Sequence, residues 1–174
     1  MKNILMAVQP KWLAKILNGE KSVEIRKTIP DCLKNGEPIT VWLYCTKGKP
    51  ELHRYDSWNG EEWERHFLLR KPIIGEWLQN GLVVAKCVVE KWKRTTKSDW
   101  MNEDSCFIMR SEMHLTALTV FDKPMELRQF DTVKSKLVKG SNDGLDRLYI
   151  PKKIYTRTPL TRAPQSWMYV EVGE

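Results

Sequence analysis

Gly19-Glu20-Lys21-Ser22-Val23-Glu24-Ile25-Arg26 joins a helix-stopping glycine to an alternating segment, and it organises the first part of the chain. Upstream, Asn3 to Gln9 reads as an apolar strand. Pro10 at a helix start and Gly19 past its end then bracket a short helix, with Trp12, Leu13, Ile16 and Leu17 on one face. Downstream, Lys21 to Lys27 alternates in strand fashion, with Val23 and Ile25 on one side and Ser22, Glu24 and Arg26 on the other. The opening is therefore strand, helix, strand. Glu24 and Arg26 share a face, about 7 Å apart at the usual strand rise.

Further along, Ile39 to Cys45 is apolar on both faces, as expected of a strand in the middle of a sheet, and Lys47-Gly48-Lys49-Pro50 ends it. Asn80-Gly81 before the β-branched run Leu82 to Trp92 predicts a hairpin with the residues just before it. His114 to Phe121 and Ser166 to Val172 read as strands, and Asp122 to Phe130 as a turn entering a short helix. Glu61 to Leu69 reads as a helix within an inserted excursion over 51–80, and the Gly-punctuated Val133 to Gly144 as a loop. Short strands over the whole length, with brief helices between them, predict a barrel or strongly curved sheet rather than a parallel α/β sheet.

The 174 residues fit one domain, 1–174. A hydrophobic fraction of 41% supplies a core without metals or disulfides. Lys and Arg outnumber Asp and Glu by 29 to 22, a net charge of +7 that favours polyanionic partners, nucleic acid first. Cys32, Cys45, Cys87 and Cys106 have neither zinc-ligand nor redox spacing, so core thiols are expected, with no metal and no cofactor. No signal peptide and no apolar run of membrane-spanning length is read, which predicts a cytoplasmic protein without membrane contact.

The stretch from Gly19 to Arg26 carries the pattern G-x-K-x-x-E-x-R, and with Gln9-Pro10-Lys11 it resembles the signature of ASCH domains. Tyr44-Cys45-Thr46-Lys47-Gly48, Phe121-Asp122-Lys123-Pro124 with Leu127 and Phe130, and Pro164-Gln165-Ser166-Trp167 with Tyr169-Val170-Glu171 are similar to elements of bacterial and phage members. The resemblance implies an α+β fold, a PUA-like mixed β-barrel with short flanking helices, and a cleft walled by the signature. It also implies nucleic-acid business, since relatives bind RNA or modified bases, a subgroup hydrolyses acetylated cytidine, and one ASCH protein is associated with RNA cleavage. In that subgroup a Lys activates a Thr three residues later. Lys21 matches the Lys, whereas Glu24 stands in place of the nucleophile, and Ser22 lies one strand step from Lys21 on the opposite face.

Lys11, Lys21, Arg26, Lys27, Tyr44, Thr46, Lys47, Gln165 and Trp167 are the candidate contacts to RNA or a nucleotide-like ligand, combining cations for phosphate with aromatics for bases. Lys21, Glu24 and His114 are the candidate catalytic groups should the protein be a hydrolase on an acylated nucleoside or on RNA. The cation-indole run Lys91 to Lys97, and Arg147, Lys152, Lys153, Arg157 and Arg162, are further basic positions of interest. RNA or nucleotide binding through a basic cleft is the leading reading. A nucleic-acid hydrolase is the alternative, and a protein-interaction scaffold using the 51–80 excursion is a third reading.

Overall fold

The computed structural model describes residues 1–48, 51–54, 66–69, 77–96, 109–138 and 152–173. In chain order the elements are β1 (Lys2–Val8), α1 (Pro10–Leu17), β2 (Val23–Arg26), α2 (Asp31–Lys34), β3 (Ile39–Cys45), β4 (Glu51–Arg54), β5 (His66–Leu68), β6 (Trp77–Leu78), β7 (Val83–Thr96), β8 (Met109–Met125), a 3-10 turn (Leu127–Gln129), β9 (Phe130–Val138), β10 (Lys152–Pro159) and β11 (Trp167–Val172). Eight strands form one sheet in the order β10-β9-β11-β1-β3-β7-β8-β2, and β5-β4-β6 form a small second sheet. The β1–β3 pair is parallel and the other pairs of the large sheet are antiparallel, so the sheet is mixed.

The central strands β1 and β3 are apolar on both faces because both faces are covered. On one face Ile4, Met6, Val8, Val41, Leu43, Cys45 and Cys87 pack with Leu13, Ile16 and Leu17 of α1. On the other, Leu5, Ala7, Tyr44 and Val83 pack with Phe130, Leu160 and Val170. Register explains the split, since Ile4 is paired with Val41 and Leu5 with Trp42, and successive residues of a strand point to opposite faces. Cys45 and Cys87 are core thiols.

The large sheet is open: among the described residues no ladder joins β2 to β11 or β1. It nevertheless curls. Side chains cross the seam, with Arg26 of β2 donating to the Ala7 carbonyl of β1 at 2.7 Å and Trp167 Nε1 of β11 donating to the Thr28 carbonyl at 3.0 Å. The expected barrel or strongly curved sheet is thus an open, curled sheet whose seam is stitched by side chains.

Several elements differ from their sequence expectations. Asn80-Gly81 makes no hairpin, because β6 pairs with β4 whereas β7 pairs with β3 and β8. His66 to Leu68 is a strand on β4, not helix, and residues 61–65 of that expectation lie outside the described residues. Val133 to Val138 continues β9 against β10, where a loop was expected, and 139–144 lie outside the described residues. Trp12 is not on the buried face of α1. It is 42% exposed, with the ammonium groups of Lys11 and Lys15 at 5.3 and 5.4 Å from its ring.

Candidate functional site

The signature segment is positioned by a helix stop. Asn18 caps α1, Gly19 follows at φ +76, its N–H donates to the Ile16 carbonyl, and the Glu20 N–H donates to Lys15. These are the two bonds of a Schellman motif, which favours glycine at the left-handed position. Lys21 N–H also reaches the Lys15 carbonyl, so the chain leaves the helix with Lys21 directed at the start of β2.

In β2 the predicted alternation holds, and it is the charged side that faces inward. Glu24 faces inward beside Met113, its register partner, and is only 7% exposed, whereas Val23 and Ile25 are half-buried on the outer side. The inward carboxylate holds two cations. Lys21 Nζ bonds Glu24 Oε2 and the Val23 carbonyl, and Arg26 Nη2 lies 2.9 Å from Glu24 Oε1. Arg26 further donates to Ala7 O at 2.7 Å and to Ser166 Oγ at 3.5 Å. A buried charge survives only when paired and hydrogen-bonded, and each partner here supplies that. Lys21, Glu24 and Arg26 therefore converge as a closed ion cluster at the seam.

His114 is not part of it. It is the register partner of Val23, so it stands on the face of the β2–β8 ladder opposite to Glu24. Lys11 and Lys27 are exposed, and Gln165 is exposed near the seam. Trp167 is half-buried against the core and its indole N–H is bonded to Thr28 O.

Tyr44 and Lys47 belong to a different place. They line an open groove of about 740 Å³ on the other face of the sheet, bounded by Asn80 to Leu82, Glu126 to Arg128 and Leu160 to Ala163. This volume falls in the range of ligand pockets, roughly 300–1,000 Å³. Its floor is apolar: Tyr44, Leu82, Leu127 and Leu160, with Tyr44 itself buried and its hydroxyl pKa raised by that burial. Its rim carries Lys47, Arg128 and Arg162. Arg128 is held bidentate by Glu126, at 2.7 and 3.2 Å. Among the described residues Lys47 and Arg162 form no ion pair. Thr46 is half-buried at the end of β3, its N–H on the Val8 carbonyl.

Asn80 and Gly81 build the wall that presents Lys47. Asn80 accepts from Leu52 N–H at 2.8 Å and donates to the Gly48 carbonyl at 2.7 Å, and Gly81 N–H donates to the Cys45 carbonyl at 2.8 Å. Gly81 sits at φ +86, and the Lys47 side chain lies where a β-carbon on Gly81 would stand. Sequence reading found this dipeptide as a turn but not as a groove wall. Arg162 was noted only for its charge, and Arg128 and Leu160 gave no local signal, because the 3-10 turn and the β10–β11 connection come together only in the folded sheet.

Among the described residues, no three His, Cys, Asp or Glu side chains are grouped to hold a metal ion, and no helix is long and apolar enough to cross a membrane. No protein-family model and no curated protein matches the sequence. Among solved structures, the fold is similar to that of ASCH from Zymomonas mobilis, at 13% identity and a TM-score of 0.40, over 72% of this chain and 74% of that one. Two mutant forms of the same protein give 14% and 13% identity, TM-scores of 0.41 and 0.40, and 75% and 77% of their chains covered. The structural neighbours are ASCH proteins. No residue role passes with so distant a likeness.

Proposed function

We propose that this protein binds RNA, taking a nucleotide into the groove at Tyr44, Lys47 and Arg162. The observation that carries this reading is the contrast between two sets of cations. Lys21 and Arg26 share the one carboxylate of Glu24, whereas Lys47 and Arg162 line an open, apolar-floored groove whose lining carboxylate, Glu126, is held by Arg128. An unpaired cation beside an apolar surface suits a nucleotide, with phosphate on the ammonium or guanidinium and the base on the floor. The formal charge of +7 supports the same partner class.

The resemblance of the signature to ASCH domains agrees with a nucleic-acid role. It supports binding rather than hydrolysis here, since Glu24 replaces the nucleophile and is tied to the Lys that would activate one. Fluorescence anisotropy with single-stranded RNA across a salt series tests the reading. Binding whose logarithm falls linearly with the logarithm of salt concentration is expected, and no binding at low salt would overturn it.

A further inference from the structure

Strands β9 and β10 pair from Asp131↔Pro159 to Val138↔Lys152, whereas β9 meets β11 only at Asp131 and Phe130. From Thr132 outward the pair is therefore a two-stranded ribbon standing off the sheet. Both of its sides reach solvent, since Ile154 is 46% and Tyr155 64% exposed although they are neighbours on one strand and point to opposite faces. Its sequence is basic throughout. Lys134, Lys136, Lys152, Lys153 and Arg157 lie in Thr132–Val138 and Lys152–Thr158, which contain no acidic residue. Arg157 alternates with Tyr155 on β10 and keeps most of its surface while bonding Glu171 at 2.7 Å.

Aromatic rings are normally buried or partnered, and one left exposed on a basic ribbon presents what a single-stranded nucleic acid uses, a ring for a base and charges for phosphates. The placement adds direction. From Pro159, where β10 ends, the chain passes straight into Leu160, Thr161, Arg162 and Ala163 of the groove wall. Tyr155 lies about 13 Å of strand before Pro159 and, by strand parity, on the face of the ladder opposite to Leu160 and Phe130, so one ligand touching both ring and groove passes over the free edge of β10 and is longer than a mononucleotide. We infer that the β9–β10 ribbon is a second part of the binding surface, stacking a base on Tyr155 and leading single-stranded RNA of several nucleotides into the groove. This rests on the groove reading given above.

The test uses the full chain, a fluorescein-labelled oligouridine of about a dozen nucleotides, matched to the site sizes of single-strand binders, and a labelled uridine trinucleotide. Tyr155→Ala is expected to weaken the longer oligomer about five- to hundredfold, the loss of one stacked base. Trinucleotide binding stays unchanged, and Tyr155→Phe restores the longer oligomer, because the ring and not the hydroxyl carries the contact. Equal affinity of Tyr155→Ala and wild type for the longer oligomer overturns the proposal. So does a change confined to the sedimentation coefficient, which would make the ribbon a surface for a second copy. If Lys47→Ala leaves both oligomers bound as before while Tyr155→Ala weakens the longer one, the groove reading fails and the ribbon remains a binding surface. Absence of wild-type binding to either oligomer overturns both.

Discussion

Arg26 donates to the carbonyl of Ala7 at 2.7 Å, and this contact joins strands that stand four steps apart in the sheet order. The same guanidinium holds Glu24, and Glu24 holds Lys21. The signature segment thus acts as a clasp on a curled, open sheet, while Lys47 and Arg162 line the groove on the other face.

Removing the carboxylate leaves Arg26, mostly buried, without its counter-charge. Glu24→Gln is expected to destabilise the fold by about 3–5 kcal/mol, the usual result of breaking a buried ion pair by deleting one partner. Lys21 is the more exposed cation of the two, so Lys21→Ala is expected to cost less than Glu24→Gln. Urea unfolding of the two variants checks the order.

Gly81 adopts φ +86, and a β-carbon there would stand 2.9 Å from Lys47 Cε. Gly81→Ala therefore strains the backbone and displaces the lysine. A loss of about 1–3 kcal/mol is expected in thermal or urea unfolding, together with weaker RNA binding.

Burial pushes the Cys45 and Cys87 thiols up to about 12, and the Glu24 charge adds to the effect on Cys87. In the unfolded chain a thiol ionises near 8.5. Between these values the native state keeps protons that the unfolded state has lost, so stability is constant below the lower one and falls as pH rises toward the upper one. The expected slope is about 1.4 kcal/mol per pH unit for each thiol. Urea midpoints measured from pH 8 upward, with Cys87→Ala as comparison, read it out; a variant as steep as wild type contradicts it.

Each groove cation that meets a phosphate displaces a counterion. Lys47→Ala and Arg162→Ala are each expected to lower the slope of log affinity against log salt by about 0.7, the value for single strands. An unchanged slope would place both side chains outside the contact.

The sequence made the strand-helix-strand opening legible because Pro10 and Gly19 are local signals, and both act as read. Alternation in Lys21 to Lys27 was also legible. Its direction was not, because placing Glu24 inside requires two cations to meet it, and one of them also reaches across to β1. Tyr44 and Lys47 were named as candidates in one group with Lys21 and Arg26. Strand parity decides otherwise: Tyr44 pairs with Ala7 on one face of the sheet, while Glu24 pairs with Met113 on the other. The ribbon was hidden because Val133 to Val138, with Lys134, Ser135 and Lys136 in a row between its apolar residues, shows no alternation to read as a strand.

The most direct test of the account compares one single-stranded RNA across two variants, each checked for folding by circular dichroism. The double variant Lys47→Ala, Arg162→Ala is expected to lose most of the affinity at low salt, while Lys21→Ala binds as wild type does. Full affinity in the double variant, or an equal loss in Lys21→Ala, would contradict the assignment of the groove and return the site to the Lys21–Glu24–Arg26 cluster.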